Sequence, residues 1–177
     1  MTAPPRLVLV GLPGAGKSTA GAGAAHALGW DFIDLDKLIA AAIGKPIPEI
    51  FATVGEARFR DMEREVTREL AQGASKPFVA APGGGWVTDA ESVALLRKPG
   101  KLVYLKLSPA EALRRLGTEA GGRPLLQVAD PLAEMERLAA SRAPFLAVAD
   151  EVIDVEQLDP QQVISRLVVL ASSLREG

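Results

Sequence analysis

The chain has 177 residues, 48% of them hydrophobic and 24% charged, with a formal net charge of -2 and a pI near 5.5. That size suits one domain with a substantial core, and the charge excludes both a basic nucleic-acid footprint and a polybasic membrane anchor. The absence of cysteine excludes disulfides, thiolate metal sites and a cysteine nucleophile.

The first residues, MTAPPRLVLVGLPG, have neither the charged start nor the long apolar run of a signal peptide. No apolar run is long enough to cross a bilayer, so the cytoplasm is the expected compartment. Short β-like runs then alternate with helical ones. Strands are predicted at 6–10 (RLVLV), 31–36 (DFIDLD), 77–81 (PFVAA), 101–107 (KLVYLKL) and 151–155 (EVIDV). Helices are predicted near 17–28, 35–42, 48–72, 89–98, 108–116, 131–140 and 160–174. Asp130-Pro131 and Asp159-Pro160 each read as an N-cap followed by proline in the first turn. Unbroken apolar strands alternating with helices imply an α/β domain whose parallel sheet is covered on both faces. No repeat or linker divides residues 1–177, so a single domain is expected. The loosest stretch, GTEAGGRPLLQVAD at 117–130, reads as a mobile loop.

GLPGAGKST fits G-x-x-x-x-G-K-[ST], with Gly11, Gly16, Lys17 and Ser18 at the fixed positions. It follows a predicted strand and opens a predicted helix. Glycines there let backbone N–H groups turn toward phosphate oxygens, and the helix adds its positive end. Lys17 then reaches the β- and γ-phosphates and Ser18 offers an oxygen to Mg²⁺. The alternative is a glycine-rich turn with a chance Lys-Ser.

The strand ending in FVAAP leads into Gly83, Gly84 and Gly85 rather than a carboxylate. Three glycines suit close approach of backbone to a ligand, although a flexible turn explains them too. Carboxylates come instead from FIDLD, in Asp34 and Asp36. One is suited to fixing Mg²⁺ through water and the other to meeting an acceptor hydroxyl. The competing explanation has Asp36 capping the helix that starts near Lys37. Arg123, inside GGRPLL, is placed to close over a nucleotide, or is a surface arginine. In VGEARFRDMERE, Arg60 and Glu63 share a helix face, which ordinarily means a surface ion pair. Arg142, in SRAPF, lies after another helix. Paired with Arg60 it would grip a planar carboxylate, with Glu63 orienting Arg60.

In the order and spacing of GLPGAGKST, FIDLD, IFATVGEARFRDME, PGGGWVT, GGRPLL and SRAPF, the chain resembles the shikimate kinases from about residue 6 to about 170. The resemblance implies a three-layer P-loop kinase fold with a five-stranded parallel sheet of order 2-3-1-4-5. It implies a shikimate-binding region over about 35–63 and a lid over about 117–128. ATP phosphates would be bound by Lys17 and the loop from Gly11 to Thr19, including Gly14, Ala15, Gly16 and Ser18. Ser18 would ligate Mg²⁺, with Asp34 helping through water. Asp36 would bind ring hydroxyls and act as base toward the 3-hydroxyl. Arg60 and Arg142 would clamp the shikimate carboxylate, with Gly83, Gly84 and Gly85 near the ring. Arg123 would be the lid arginine, and Arg115 and Pro160 would flank the adenine.

The implied reaction is ATP plus shikimate giving ADP plus shikimate 3-phosphate, on the route to chorismate and aromatic amino acids. A monomer is expected, with no nucleic-acid or membrane partner. The rival readings are a kinase for another hydroxy-acid such as gluconate, and a nucleotide-binding module that has lost catalysis. Two positions depart from the family pattern. Leu146 stands where a tyrosine is common, and Pro82 stands where a small or hydroxylated residue is usual. His26, Trp30 and Trp86 read as structural or rim residues. The final helix has an apolar face suited to docking on the sheet, or less simply to an oligomer contact.

Overall fold

The computed structural model describes residues 3–117 and 126–174. Five parallel strands, β1 (Arg6–Val10), β2 (Asp31–Asp34), β3 (Phe78–Ala81), β4 (Gly100–Lys106) and β5 (Glu151–Asp154), form one sheet in the order β2-β3-β1-β4-β5. The helices are α1 (Lys17–Leu28), α2 (Leu35–Ile43), α3 (Ile47–Gly73), α4 (Ala90–Arg97), α5 (Pro109–Leu116), α6 (Pro131–Leu146) and α7 (Pro160–Ser172). Fold class and strand order match the expectation from sequence, and most element bounds fall within a few residues of it.

The pleat of β1 explains the three layers. Successive side chains of a strand point to opposite faces. Leu7 and Leu9 join a core with Ala20 and Ala24 of α1 and Leu167 of α7, whereas Val8 and Val10 join Phe78, Trp86 and Leu96 on the other face. Each fully buried leucine or valine contributes roughly 1.5–3 kcal/mol relative to leaving it exposed, so a strand buried at all five positions needs helices on both sides. A smaller cluster, Ile39, Ile50 and Phe59, ties α2 to α3.

Helix starts are specified locally. Asp34, Asp89, Ser108, Asp130 and Asp159 each accept a backbone N–H of the following turn, and Asp159 forms a capping box with Gln162. Such caps contribute about 1 kcal/mol each. Three details differ from the sequence reading. The cap of α2 is Asp34 rather than Asp36, because Asp34 is the last residue with extended backbone. The helix expected over 48–72 is kinked at Gly55, whose φ of 78° and ψ of 170° are not helical. The helix expected to end near 140 runs on to Leu146, so Arg142 lies on α6 rather than after it. Among the described residues no single helix is long and apolar enough to cross a membrane.

Strand order reverses around β1, which pairs with both β3 and β4. Ligands of open α/β sheets bind at the carboxyl ends of the strands beside such a reversal. The loop after β1 and the glycine run after β3 both lie there.

Candidate active site

The loop after β1 is shaped by backbone that only glycine tolerates. Gly11 and Gly14 have φ of 153° and 88°, and a Cβ at Gly11 would fall 2.6 Å from the Leu105 carbonyl oxygen. Lys17 opens α1, and its Nζ donates to the carbonyls of Gly11 at 2.8 Å and Leu12 at 3.0 Å. Ser18 Oγ donates to Asp34 Oδ2 at 3.3 Å, while Asp34 Oδ1 accepts the Lys37 N–H at 3.1 Å. One aspartate thus joins the phosphate loop to the start of α2.

These groups line a cavity of about 570 Å³. It brings together Gly14, Gly16, Lys17, Ser18, Thr19, Asp34, Asp36, Gly83, Gly84 and Arg115 of the residues singled out from sequence. Ala15 is buried against the loop. Pro160 sits in the first turn of α7 and does not line the cavity.

Charged side chains from three helices meet the glycine run. A Cβ at Gly83 would fall 2.9 Å from Asp36 Oδ1 of α2, and one at Gly84 would fall 2.6 Å from Arg142 Nη1 of α6. At Gly85 it would overlap Arg60 Nη2 of α3. The glycines are therefore needed for space, since none of the three has a left-handed backbone. Arg60 Nη1 donates to Glu63 Oε2 at 2.5 Å, and Glu63 is only 2% exposed. Burial pushes the Glu63 carboxyl up to about 7, with Arg60 pulling it down and Asp36 and Asp89 pushing it further up. Burial also lowers Arg142, to about 10, with help from the charges of Arg60 and Arg137. Both guanidinium groups stay charged at neutral pH, close enough to repel.

Arg142 Nη1 and Glu63 Oε1 are buried without a hydrogen-bond partner among the described residues. Buried polar atoms are nearly always satisfied, so an orphaned guanidinium nitrogen beside a second guanidinium marks a place prepared for an anion. A planar carboxylate meets two such forks well.

A family model described as shikimate kinase matches residues 13–171. The chain belongs to the shikimate kinase family. It is 45% identical over 164 residues to the shikimate kinase of Neisseria meningitidis serogroup C, covering 92% of this chain and 94% of that one. It is 37% identical over 171 residues to the shikimate kinase of Thermodesulfovibrio yellowstonii, covering 97% of both. The solved shikimate kinase from Acinetobacter baumannii in complex with shikimate superposes with a TM-score of 0.88 at 35% identity, covering 96% of this chain and 94% of that one.

In this shikimate kinase family member the two departures are accommodated by packing. Leu146 is buried in the core cluster that includes Val87 and Leu96. Pro82 is buried at the head of the glycine run. Trp86 packs rather than lining the phosphate cavity: its Nε1 donates to Thr67 Oγ1 at 3.0 Å, and Thr67 donates to the Glu63 carbonyl at 2.6 Å. That chain fixes the glycine run against α3. His26 is exposed and Trp30 is buried. The last helix docks on α1, where Gly23 makes room for Ile164.

Sequence reasoning missed how Arg115 is placed. Its Nη2 donates to the carbonyls of Val155 at 3.0 Å and Glu156 at 3.1 Å, and its Nε to Glu111 at 2.8 Å. The guanidinium is pinned to the loop leading into Pro160. Arg123 lies outside the described residues.

The Ser18 hydroxyl and Asp34 carboxylate are hard oxygen donors side by side, which suits Mg²⁺. Magnesium takes one or two such ligands and completes its shell with phosphate and water. Among the described residues no group of three or more His, Cys, Asp or Glu side chains could hold a metal ion.

Proposed function

We propose that this protein transfers the γ-phosphoryl group of ATP to the 3-hydroxyl of shikimate, giving ADP and shikimate 3-phosphate. The observation that carries this reading is the row of Asp36, Arg142 and Arg60 over Gly83, Gly84 and Gly85, of which Asp36, Gly83 and Gly84 line the cavity that holds the phosphate loop.

Arg60 and Arg142 take the shikimate carboxylate. Asp36, at the other end of the row, accepts a hydrogen bond from the 3-hydroxyl, orients its oxygen toward the terminal phosphorus, and takes its proton as the new O–P bond forms. The bond from phosphorus to the ADP oxygen breaks in the same displacement, so no covalent enzyme intermediate is needed. Lys17 exchanges its two carbonyl partners for phosphate oxygens. Ser18, and Asp34 through water, would hold Mg²⁺, which would supply positive charge to the ATP phosphates. Arg115 and Pro160 flank the adenine, and Arg123 covers the phosphates. Catalysis is then positioning and charge stabilisation. The reading includes a monomer in the cytoplasm, which sedimentation and fractionation check.

The test is ADP release by the purified protein with MgATP and either shikimate or gluconate. Turnover with shikimate is expected. Turnover with gluconate alone would reassign the substrate, and ATP binding without consumption by either acid would favour a silent nucleotide-binding module.

A further inference from the structure

Three cations, Lys17, Lys37 and Arg115, line the phosphate cavity against two carboxylates, Asp34 and Asp36. Most of these groups have an anchor. Lys17 is held by two carbonyls, Arg115 by Val155, Glu156 and Glu111, and Asp34 by Ser18 and an amide. Lys37 is different. Its backbone is fixed, because its N–H donates to Asp34 Oδ1 at 3.1 Å. Its side chain is exposed, and its ammonium forms no ion pair among the described residues. With its backbone fixed and its ammonium in no ion pair among the described residues, Lys37 lines the same cavity as Ser18 and Asp36.

The position is also unfavourable for a lysine with no further role. Lys37 is the third residue of α2, in the first turn, where the helix dipole is positive. A cation there opposes the dipole, whereas an anion brought to the spot would be stabilised by both dipole and ammonium. Lys17 stands on the donor side of the cavity, in the phosphate loop. Lys37 lies on α2 next to Asp36, the residue assigned to the acceptor hydroxyl, and lines the same cavity.

We propose that Lys37 is a further catalytic residue: a second ammonium that contacts the transferred phosphoryl group from the acceptor side and then the phosphate of the product. The inference rests on the kinase reading above. It makes the charge that leaves ADP meet a cation at its destination as well as at its origin.

The test compares wild type with Lys37→Ala and Lys37→Arg. Steady-state kinetics is run alongside calorimetric binding of shikimate and of shikimate 3-phosphate, each with ADP present. Lys37→Ala should lose about tenfold in kcat, less than a buried oxyanion donor would because the tip is solvated. Its KM and Kd for shikimate should be unchanged, while its affinity for shikimate 3-phosphate falls by a similar factor. Lys37→Arg should restore most of both, and the unfolding midpoint of both variants should match wild type. Wild-type kcat and product affinity in Lys37→Ala would overturn the inference, as would an equal loss of affinity for shikimate and its phosphate. A wild-type protein that turns over no shikimate would overturn the kinase reading itself, and this inference with it.

Discussion

Arg60 and Glu63 share a 2.5 Å hydrogen bond across one turn of α3, with the carboxylate buried and the guanidinium partly open. The pair is asymmetric. Burial dominates at Glu63 and lifts its carboxyl to about 7, whereas at Arg60 the depressing effect of burial is outweighed by Glu63 and Glu56, which hold the guanidinium above its ordinary value.

A pH dependence of stability follows. Folded Glu63 keeps its proton up to about 7, but the unfolded chain releases it near the ordinary value of 4.5. Between those limits the folded state binds more protons, so this group's contribution is complete below the lower limit and lost as pH rises through the upper one. The full shift corresponds to roughly 3 kcal/mol. Urea denaturation should show Glu63→Gln flattening the fall in stability between pH 5 and 7 relative to wild type. Parallel curves would mean that Glu63 is ionised throughout.

Arg60→Lys isolates substrate recognition. Arg60→Ala would remove the hydrogen-bond partner of the buried Glu63 and push its carboxyl further up, and so would mix folding with binding. Lysine keeps the charge near Glu63 but cannot present a planar fork. Shikimate KM should rise about tenfold, worth about 1.4 kcal/mol, with ATP KM and kcat nearly unchanged. Initial rates over a grid of both substrates measure this directly.

Alanine at two glycines should behave oppositely. At Gly85 a methyl group meets only the movable end of Arg60, and the backbone there is ordinary. Gly85→Ala should therefore fold normally and lose about tenfold or more in shikimate affinity. At Gly14, φ is 88° and the methyl would overlap the Ala112 carbonyl. Gly14→Ala should lower the melting temperature by several degrees, a cost of about 1–3 kcal/mol. Thermal melts and shikimate titrations of both variants separate the two outcomes.

Asp34→Asn tests the metal assignment without removing the helix cap. The amide oxygen can still accept the Lys37 N–H, so stability should stay within about 0.5 kcal/mol. Loss of the negative charge should raise the Mg²⁺ concentration for half-maximal rate about tenfold. A magnesium titration at saturating ATP and shikimate checks it.

The strands were legible because each is a short apolar run bounded by turn residues, and the caps at Asp130 and Asp159 because proline follows them. The Arg60–Glu63 pair was legible from helical spacing alone. The meeting of Arg60 with Arg142 was not, because it depends on how α6 packs across the glycine run, a tertiary relation without a local pattern. The cap at Asp34 was ambiguous for a different reason: in D-x-D either carboxylate can reach a following amide, and only the point where extended backbone ends decides between them. The kink at Gly55 was not legible because one glycine inside a helical pattern does not by itself show that the helix breaks there.

Because Asp36, Arg142 and Arg60 abut three consecutive glycines, the main chain itself works as a gauge. Neighbouring Cα atoms are about 3.8 Å apart, so the outer two positions are separated by at most roughly 7 Å. The breadth of acid that the row accommodates is thereby tied to main-chain spacing, with the tips of Asp36 and Arg60 setting the remainder.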